Sequence, residues 1–109
     1  MRMWMIDPTK MCNQHLLGEH VELHMLVGSL KKGRSIAGFA ALVEVSSINS
    51  RHAELATEME SRGMVHKSPL TSDFPPFGSV DRAKSLQNLV SRCEKCAQRN
   101  NHQERSQPI

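Results

Sequence analysis

The sequence has few aromatic side chains and no long apolar segment. Its 109 residues contain one Trp, three Phe and no Tyr, which excludes a large aromatic core. No apolar run approaches the roughly 18 residues of a membrane-spanning helix, and the apolar start of the chain is too short for a signal-peptide core. Three cysteines, an odd number, favour reduced thiols over a disulfide framework. We therefore expect a cytoplasmic protein that does not enter a membrane.

The chain contains three segments whose apolar residues recur at helical spacing. The sequence shows no convincing strand pattern and no internal repeat. These segments predict helices at about residues 9–32, 48–62 and 79–99. The first helix can begin at Thr9 or at Asn13, both of which are suitable caps. In the third segment, Ser79 is the expected cap and one face predicts the buried stripe, which consists of Ala83, Leu86, Val90, Cys93 and Ala97.

The segments outside these helices complete the predicted architecture. Residues 1–6 precede the turn at Asp7-Pro8 and indicate an extended arm, in which Trp4 can either anchor the arm to the helices or stack on a nucleobase. The polar tail, residues 100–109, is expected to be flexible. The sequence thus predicts one compact all-α domain, residues 1–109, with three main helices and an extended N-terminal arm.

The charge is mildly basic and unevenly distributed. The formal net charge is +3, and residues 79–109 carry six Lys/Arg against three Asp/Glu. This balance is compatible with a surface that contacts phosphates, but a solvated helix face with a polar tail has the same composition. The C-terminal segment is therefore the better candidate for a nucleic-acid contact, and charge alone does not establish one.

One side of the first predicted helix carries an unusual set of polar residues. At 3.6 residues per turn, they fall on neighbouring positions of one face, although most amphipathic helices also have a polar stripe that simply faces solvent. A glycine within a helix costs about 0.5–1 kcal/mol relative to alanine, which is easier to understand if another backbone segment passes close by. The members of this face are Gln14, His15, Gly18, Glu19 and Glu22.

Two patterns indicate metal binding only weakly. His20 and His24 are four residues apart and can share an ion, but the order of residues between them does not match the zinc-protease motif. Cys93 and Cys96 form a CxxC, with Cys12 as a possible third thiolate, whereas well-supported structural zinc sites contain two such pairs. Cys93 also falls on the expected core stripe, where a thiol packs as a small apolar group. We therefore expect no bound metal and no cofactor.

Two stretches resemble a known family, the pyrimidine-dimer DNA glycosylases of the phage endonuclease V type. The second stretch, Ser50-Arg51-His52-Ala53-Glu54-Leu55 continuing to Arg62-Gly63, is similar to the second helix of that family. The resemblance covers roughly residues 1–64. The first and more specific stretch, which resembles the first helix of the family, is Asn13-Gln14-His15-Leu16-Leu17-Gly18-Glu19-His20-Val21-Glu22-Leu23.

The resemblance implies a fold and a mechanism. The fold is a compact all-α domain in which the N-terminal arm passes between helices, which would explain Gly18. The mechanism is an attack of the N-terminal α-amine on the anomeric carbon of a damaged nucleotide, followed by imine formation and β-elimination. By register, the nucleophile is the α-amine of Met1, and Glu22 stabilises the cationic imine and moves protons.

The resemblance also implies how DNA is held. Arg2 is expected to contact phosphate, with Gln14 and His15 lining the damaged strand. Further phosphate contacts are less directly implied. The sequence departs from the family at Val21 and Met25, where the family has basic residues, and it lacks the aromatic C-terminal tail of the family. The further phosphate candidates are Arg51, Arg92, Lys95 and Arg99.

Together these features predict a DNA-repair glycosylase with abasic-site lyase activity on damaged pyrimidines. The expected partner is double-stranded DNA that contains damaged bases, either in the nucleoid or as viral DNA in the host cell. The protein is expected to act as a monomer. The alternative is a non-catalytic helical module, either a nucleic-acid-binding protein or a metal-stapled accessory protein.

Overall fold

The computed structural model describes residues 1–65 and 69–105, and this part of the chain is helical without any strand. Three short 3₁₀ turns, at Pro8–Lys10, Ala37–Phe39 and Val45–Ser47, connect longer helices. The predicted all-α class is therefore confirmed. The four α-helices are α1 (Asn13–Lys31), α2 (Ile48–Ser61), α3 (Arg82–Arg92) and α4 (Glu94–Arg105).

The first helix begins at a side-chain cap, and each of the first two helices ends at a glycine. Thr9 lies in the first 3₁₀ turn, and α1 starts only after Cys12, whose Sγ accepts the backbone N–H of His15. Gly33 and Gly63 follow the two helices with φ values of 71° and 77°. Since these left-handed conformations are unfavourable for residues with a side chain, glycine ends each helix at little cost.

The predicted third helix is wrong in one respect, because it is two helices. Cys93 has an extended backbone, with φ −132° and ψ 110°, and it separates α3 from α4. Asp81, and not Ser79, caps α3 through a 3.0 Å hydrogen bond from the backbone N–H of Lys84. Neither glycine nor proline is present at the break, so the helix periodicity of the sequence did not reveal it.

The break also changes which residues are buried. On α3 the buried residues are Ser85 and Leu89, and on α4 Cys96 is fully buried, whereas Ala83 is exposed. An extended residue at position 93 rotates α4 relative to α3, so a single stripe cannot continue through both. α4 extends to Arg105 and thus includes part of the predicted tail, whose residues 106–109 lie outside the described residues.

The N-terminal arm is buried against the helices, as expected. Met3, Trp4 and Ile6 are between 1% and 9% exposed. The Ser85 hydroxyl on α3 donates to the carbonyl of Trp4 at 2.6 Å, and the Arg51 guanidinium on α2 donates to the carbonyl of Ile6 at 2.7 Å. Trp4 therefore anchors the arm, and the arm links α2 to α3.

Gly18 is not explained by this arm. A Cβ built on Gly18 would meet nothing within 4 Å, so the arm and the other described segments leave this position open. Gly18 instead leaves an open strip on the exposed side of α1. The expectation that the arm passes at this position is therefore wrong.

The core lies mainly between α1 and α2, which pack against each other. Each fully buried leucine or isoleucine contributes roughly 1.5–3 kcal/mol relative to its exposed state, so this interface fixes α1 in place. Within the described ranges, no helix is both long and apolar enough to cross a membrane. The core residues of the two helices include Leu16, Leu23, Leu26, Ile48 and Leu55.

Candidate active site

The N-terminus of the chain lies beside the carboxylate of Glu22. The backbone nitrogen of Met1 is 3.8 Å from Oε2 of Glu22, and the amide N–H of Arg2 donates to the same oxygen. The Glu22 side chain projects from the middle of α1 and is 39% exposed, compared with 18% for Met1. An amine and a carboxylate thus meet at a place that solvent, and therefore a ligand, can reach.

Buried residues just behind the N-terminus determine its position. Met3 is 1% exposed, and its N–H donates to the carbonyl of Leu42 at 2.8 Å. Met5 has a φ of 57°, a left-handed conformation that costs about 1–2 kcal/mol for a residue with a side chain. The buried side chains of Trp4 and Ile6 on either side compensate for this strain. The arm therefore turns sharply, and its first two residues are directed onto α1.

Arg2 places a cation next to the amine and the carboxylate. Its guanidinium carbon lies 3.8 Å from the centroid of the Trp4 ring, within the range of a cation–π contact. Burial lowers the pKa of Arg2, and so does the charge of Arg92 at the end of α3, while Glu22 acts in the opposite direction. The charge of Arg92 at the end of α3 therefore acts on Arg2 of the arm.

Three other predicted DNA contacts lie together at the surface. An open cavity of about 590 Å³ lies between side chains at the start of α1 and on α4, and its lining includes Gln14, Lys95 and Arg99. Arg99 is held by a hydrogen bond from its Nε to the carbonyl of Thr9, at 3.0 Å. The exposed side chains of Gln14 and Lys95 are free to contact a ligand. The structure thus gathers residues from distant parts of the sequence around one cavity.

Arg51 corrects the sequence-based prediction, because it cannot contact DNA in this fold. The residue is 1% exposed. Its Nε and one terminal nitrogen pair with the two carboxylate oxygens of Glu19 at 2.6 and 2.9 Å. The other terminal nitrogen donates to Ile6 and Glu54. Every part of the guanidinium is used inside the protein, and Glu19, expected on the polar face of α1, is also buried.

His15 has a role that the sequence did not indicate. Its Nδ1 lies 3.3 Å from Sγ of Cys12 and 3.7 Å from Sγ of Cys96. Its ring also packs edge-on against Trp4, with 5.8 Å between the ring centroids. The structure therefore places this nitrogen among thiols, whereas the sequence-based prediction had His15 lining a DNA strand.

Two groups of side chains have the composition and the spacing of metal ligands. In each group, the potential ligand atoms all lie within 4.8 Å of one another. The sequence pointed to His20 with His24 and to the cysteines, but it missed His52 and His15. His52 comes from α2, whereas His20 and His24 lie on α1, so no local spacing indicates it. His15 lies three residues after Cys12 at the start of α1, and only the fold brings this pair to Cys93 and Cys96. The groups are Cys12, His15, Cys93 and Cys96, and His20, His24 and His52.

A comparison with known families matches most of this chain. Residues 1–72 match the model of a family described as pyrimidine dimer DNA glycosylase. The match includes the arm, α1 and α2, and therefore both Met1 and Glu22. α3 and α4, with Arg92, Lys95 and Arg99, lie outside it. No curated protein and no solved structure matches the chain.

Proposed function

Since this chain belongs to the pyrimidine dimer DNA glycosylase family, we propose that it removes damaged pyrimidines from DNA and cleaves the resulting abasic site. The proposed nucleophile is the α-amine of Met1. The observation that carries this proposal is the 3.8 Å approach of that nitrogen to the Glu22 carboxylate. The pair is accessible to solvent, and the chain holds it there through the buried arm.

The first proposed step replaces the base by the amine. The lone pair of the unprotonated Met1 nitrogen attacks C1′ of the damaged nucleotide, and the bond from C1′ to the base breaks. The base leaves with the bonding electrons and takes up a proton. Loss of a proton from the nitrogen and opening of the C1′–O4′ bond then give an imine, with O4′ protonated as a hydroxyl. The carboxylate of Glu22 stabilises the cationic form of this imine.

The second proposed step breaks the strand. A proton acceptor removes a proton from C2′ of the imine. The C3′–O bond then breaks, so that the 3′ phosphate leaves with the electron pair. Water then hydrolyses the imine and regenerates the free amine. Glu22 is the nearest carboxylate to the Met1 nitrogen, and proton transfer by a positioned group typically contributes a factor of about 10²–10⁴ to the rate.

Double-stranded DNA with damaged bases is the proposed substrate, and two basic surfaces support this. Arg2 lies beside Glu22 and is influenced by the charge of Arg92 at the end of α3. Lys95 and Arg99 line the cavity next to α4 with Gln14. Arg and Lys side chains of this kind contact phosphates and fix the register of a protein on DNA. Phosphate binding in this protein is therefore assigned mainly to the arm, α3 and α4.

The face of α1 beside Glu22 contributes apolar surface to the proposed interface. Leu17, Val21 and Met25 are 45%, 47% and 56% exposed and follow one another at four-residue spacing. These side chains cannot pair with phosphates. Any contact that they make with DNA is with sugars or with bases that have left the stack.

Borohydride trapping tests the proposed nucleophile. Incubation with an oligonucleotide that contains an abasic site or a pyrimidine dimer, followed by reduction, should give a covalent complex. Tandem mass spectrometry of the trapped protein should map the modification to the Met1 nitrogen. A variant with Gly-Ser added before Met1 should not be trapped, whereas Lys84→Ala should be trapped like the parent protein.

Three results would overturn the proposal. They are the absence of trapping across a panel of lesions, trapping that survives the added residues, and a modified lysine in place of Met1. DNA binding without any covalent complex would instead support the non-catalytic binding module.

A further inference from the structure

Four side chains from the starts of two helices, α1 and α4, converge on one point. Cys12 and Cys96 are 5% and 0% exposed, and His15 and Cys93 are half-buried. The three cysteines are not joined by disulfides. The sulfurs of Cys12 and Cys93 are 3.8 Å apart, and Nδ1 of His15 is 3.3 Å and 3.7 Å from the sulfurs of Cys12 and Cys96.

These distances are those of ligands around a single tetrahedral ion. Zinc binds cysteine sulfur at about 2.3 Å and histidine nitrogen at about 2.0–2.1 Å, which places two sulfurs about 3.8 Å apart and a sulfur and a nitrogen about 3.6 Å apart. The three separations in the structure agree with these values to within a few tenths of an ångström. Three sulfurs and one imidazole nitrogen are also a donor set that selects zinc over calcium or magnesium.

Each half of the group consists of a cysteine that directly precedes a helix and a second ligand three residues later. Cys12 directly precedes α1, and His15 lies three residues later in its first turn. Cys93 directly precedes α4, and Cys96 lies three residues later in its first turn. The extended conformation of Cys93, which no glycine or proline imposes, is what gives α4 a separate start. The helix break thus directs the second pair of side chains at the first pair.

Backbone N–H groups hold two of the sulfurs in place. The N–H of Cys12 donates to Sγ of Cys96 at 3.3 Å, and the N–H of His15 donates to Sγ of Cys12 at 3.5 Å. Such outer contacts orient the ligands of a metal and are part of most metal sites.

We propose that Cys12, His15, Cys93 and Cys96 bind a structural zinc ion that joins the start of α1 to the junction of α3 and α4. All four protein ligands are present, so the coordination is closed, as in structural zinc sites. Cys93 and Cys96 lie outside residues 1–72. Half of the proposed zinc site therefore lies beyond the matched family region, and the site does not depend on the proposed glycosylase activity.

The position of the site gives the ion a role in holding the N-terminal arm. The ring centroids of His15 and Trp4 are 5.8 Å apart. The guanidinium carbon of Arg2 lies 3.8 Å from the centroid of the Trp4 ring. Arg2 in turn donates its amide N–H to Glu22. A zinc ion that fixes His15 therefore restricts the aromatic ring on which the first residues of the chain rest. His15 is in this sense a positioning residue.

Metal analysis of the full-length protein, purified without a chelator and without a metal-affinity tag, tests the proposal. We expect about one zinc ion per chain. Replacement of zinc by cobalt should give the visible bands of a tetrahedral ion together with sulfur-to-cobalt charge-transfer absorption. Removal of the metal should change the fluorescence of Trp4, the single Trp of the chain, and should lower the melting temperature by roughly 10 °C.

Matched variants distinguish this group from other ligands. Cys93→Ser and Cys96→Ser should lose the zinc and the charge-transfer absorption, and Glu94→Gln, between these two cysteines, should keep both. His24→Gln, in the second potential ligand group, should also keep them. Cys93→Ser has a half-buried side chain, so a folded variant is expected even if Cys96→Ser does not fold.

The proposal is overturned by a metal-free protein that is folded and does not take up added zinc. It is equally overturned if zinc is retained in Cys93→Ser, or if it is lost in His24→Gln while the cysteine variants keep it. A change in lesion cleavage plays no part in these readouts, so failure of the zinc site and failure of the glycosylase proposal are distinguishable.

Discussion

The guanidinium of Arg51 and the carboxylate of Glu19 form a bidentate ion pair in the interior of the protein, at 2.6 and 2.9 Å. The side chains are 2% and 0% exposed. The pair joins α2 to α1, and a further hydrogen bond from Arg51 to the carbonyl of Ile6 joins both helices to the arm. By holding the arm at Ile6, the pair helps to fix the N-terminus beside Glu22.

Removal of one member of this pair should destabilise the fold strongly. Arg51→Met leaves the Glu19 carboxylate buried without a partner, a change that typically costs about 3–5 kcal/mol. The free energy of unfolding, from urea denaturation, measures the effect. Glu54→Gln is the matched control, because Glu54 pairs with the same arginine but is 55% exposed, and it should cost less than about 1 kcal/mol. Unchanged stability with weaker DNA binding in Arg51→Met would restore Arg51 as a phosphate contact.

Glu22→Gln should remove activity without weakening the fold. The amide keeps the shape of the side chain but cannot stabilise a cationic imine or accept a proton, so the single-turnover rate on a damaged oligonucleotide should fall at least about 100-fold. The melting temperature should stay within the error of the parent protein. Glu60→Gln, on the exposed side of α2, is the control and should retain full activity. Unchanged strand cleavage in Glu22→Gln would contradict the assigned role.

Gly18 and Gly28 offer a matched test of the DNA-facing side of α1. A Cβ at either position would meet nothing within 4 Å, so both alanine variants should gain about 0.5–1 kcal/mol of stability. Gly18 lies one helical turn before Glu22, where DNA is expected to approach. Gly18→Ala should therefore reduce DNA affinity severalfold, and Gly28→Ala should not. Equal affinities of the two variants would place the DNA elsewhere.

The ion pair between Glu44 and Arg82 should make stability depend on pH in the acidic range. Hydrogen bonds from Arg82 lower the pKa of Glu44 to about 2. A carboxyl whose pKa is lower in the folded state stabilises the fold above its unfolded pKa of about 4.5, and this contribution is lost as the pH falls towards about 2.

Denaturation at a series of pH values checks this prediction. At pH 7, Glu44→Gln should be less stable than the parent protein by about 1–3 kcal/mol, since Arg82 is half exposed and solvent screens part of the interaction. The difference should decrease steadily between about pH 4.5 and pH 2. A difference that is independent of pH would mean that packing, and not charge, accounts for the loss.

The basic residues near α4 should determine the salt dependence of DNA binding. The logarithm of the DNA-binding constant falls linearly with the logarithm of the salt concentration, and each lost phosphate contact makes this slope less steep by about 1. Arg92→Gln and Lys95→Gln should each show this change. Lys31→Gln is the control, since Lys31 is exposed at the far end of α1. If all three variants weaken binding equally, the effect comes from net charge and not from these contacts.

Features that depend on neighbouring residues were predictable from the sequence. Gly33 and Gly63 ended two helices because glycine tolerates a left-handed backbone whatever surrounds it. The apolar spacing predicted helices at about residues 9–32 and 48–62, where α1 and α2 lie, and the pattern around Glu22 indicated the family that the match over residues 1–72 then supported. The assignment of Met1 and Glu22 as a reacting pair stays a prediction.

Features that depend on distant residues were not predictable. Arg51 looked like a surface cation because nothing in α2 shows that Glu19, 32 residues earlier, would enclose it. The break at Cys93 was hidden for a similar reason, since the residues around it favour a continuous helix, and the convergence with Cys12 and His15 becomes visible only in the folded chain.

The sequence by itself determined the helical class, the C-terminal ends of α1 and α2 and the presence of a family-like first helix, because these follow from interactions within a few residues. Only the tertiary structure decided which charges are buried, where the third segment breaks and that Cys12, His15, Cys93 and Cys96 meet at one point. The physical reason is that burial and ligand geometry arise between segments far apart in the chain, and the spacing of residues along one helix does not contain that information.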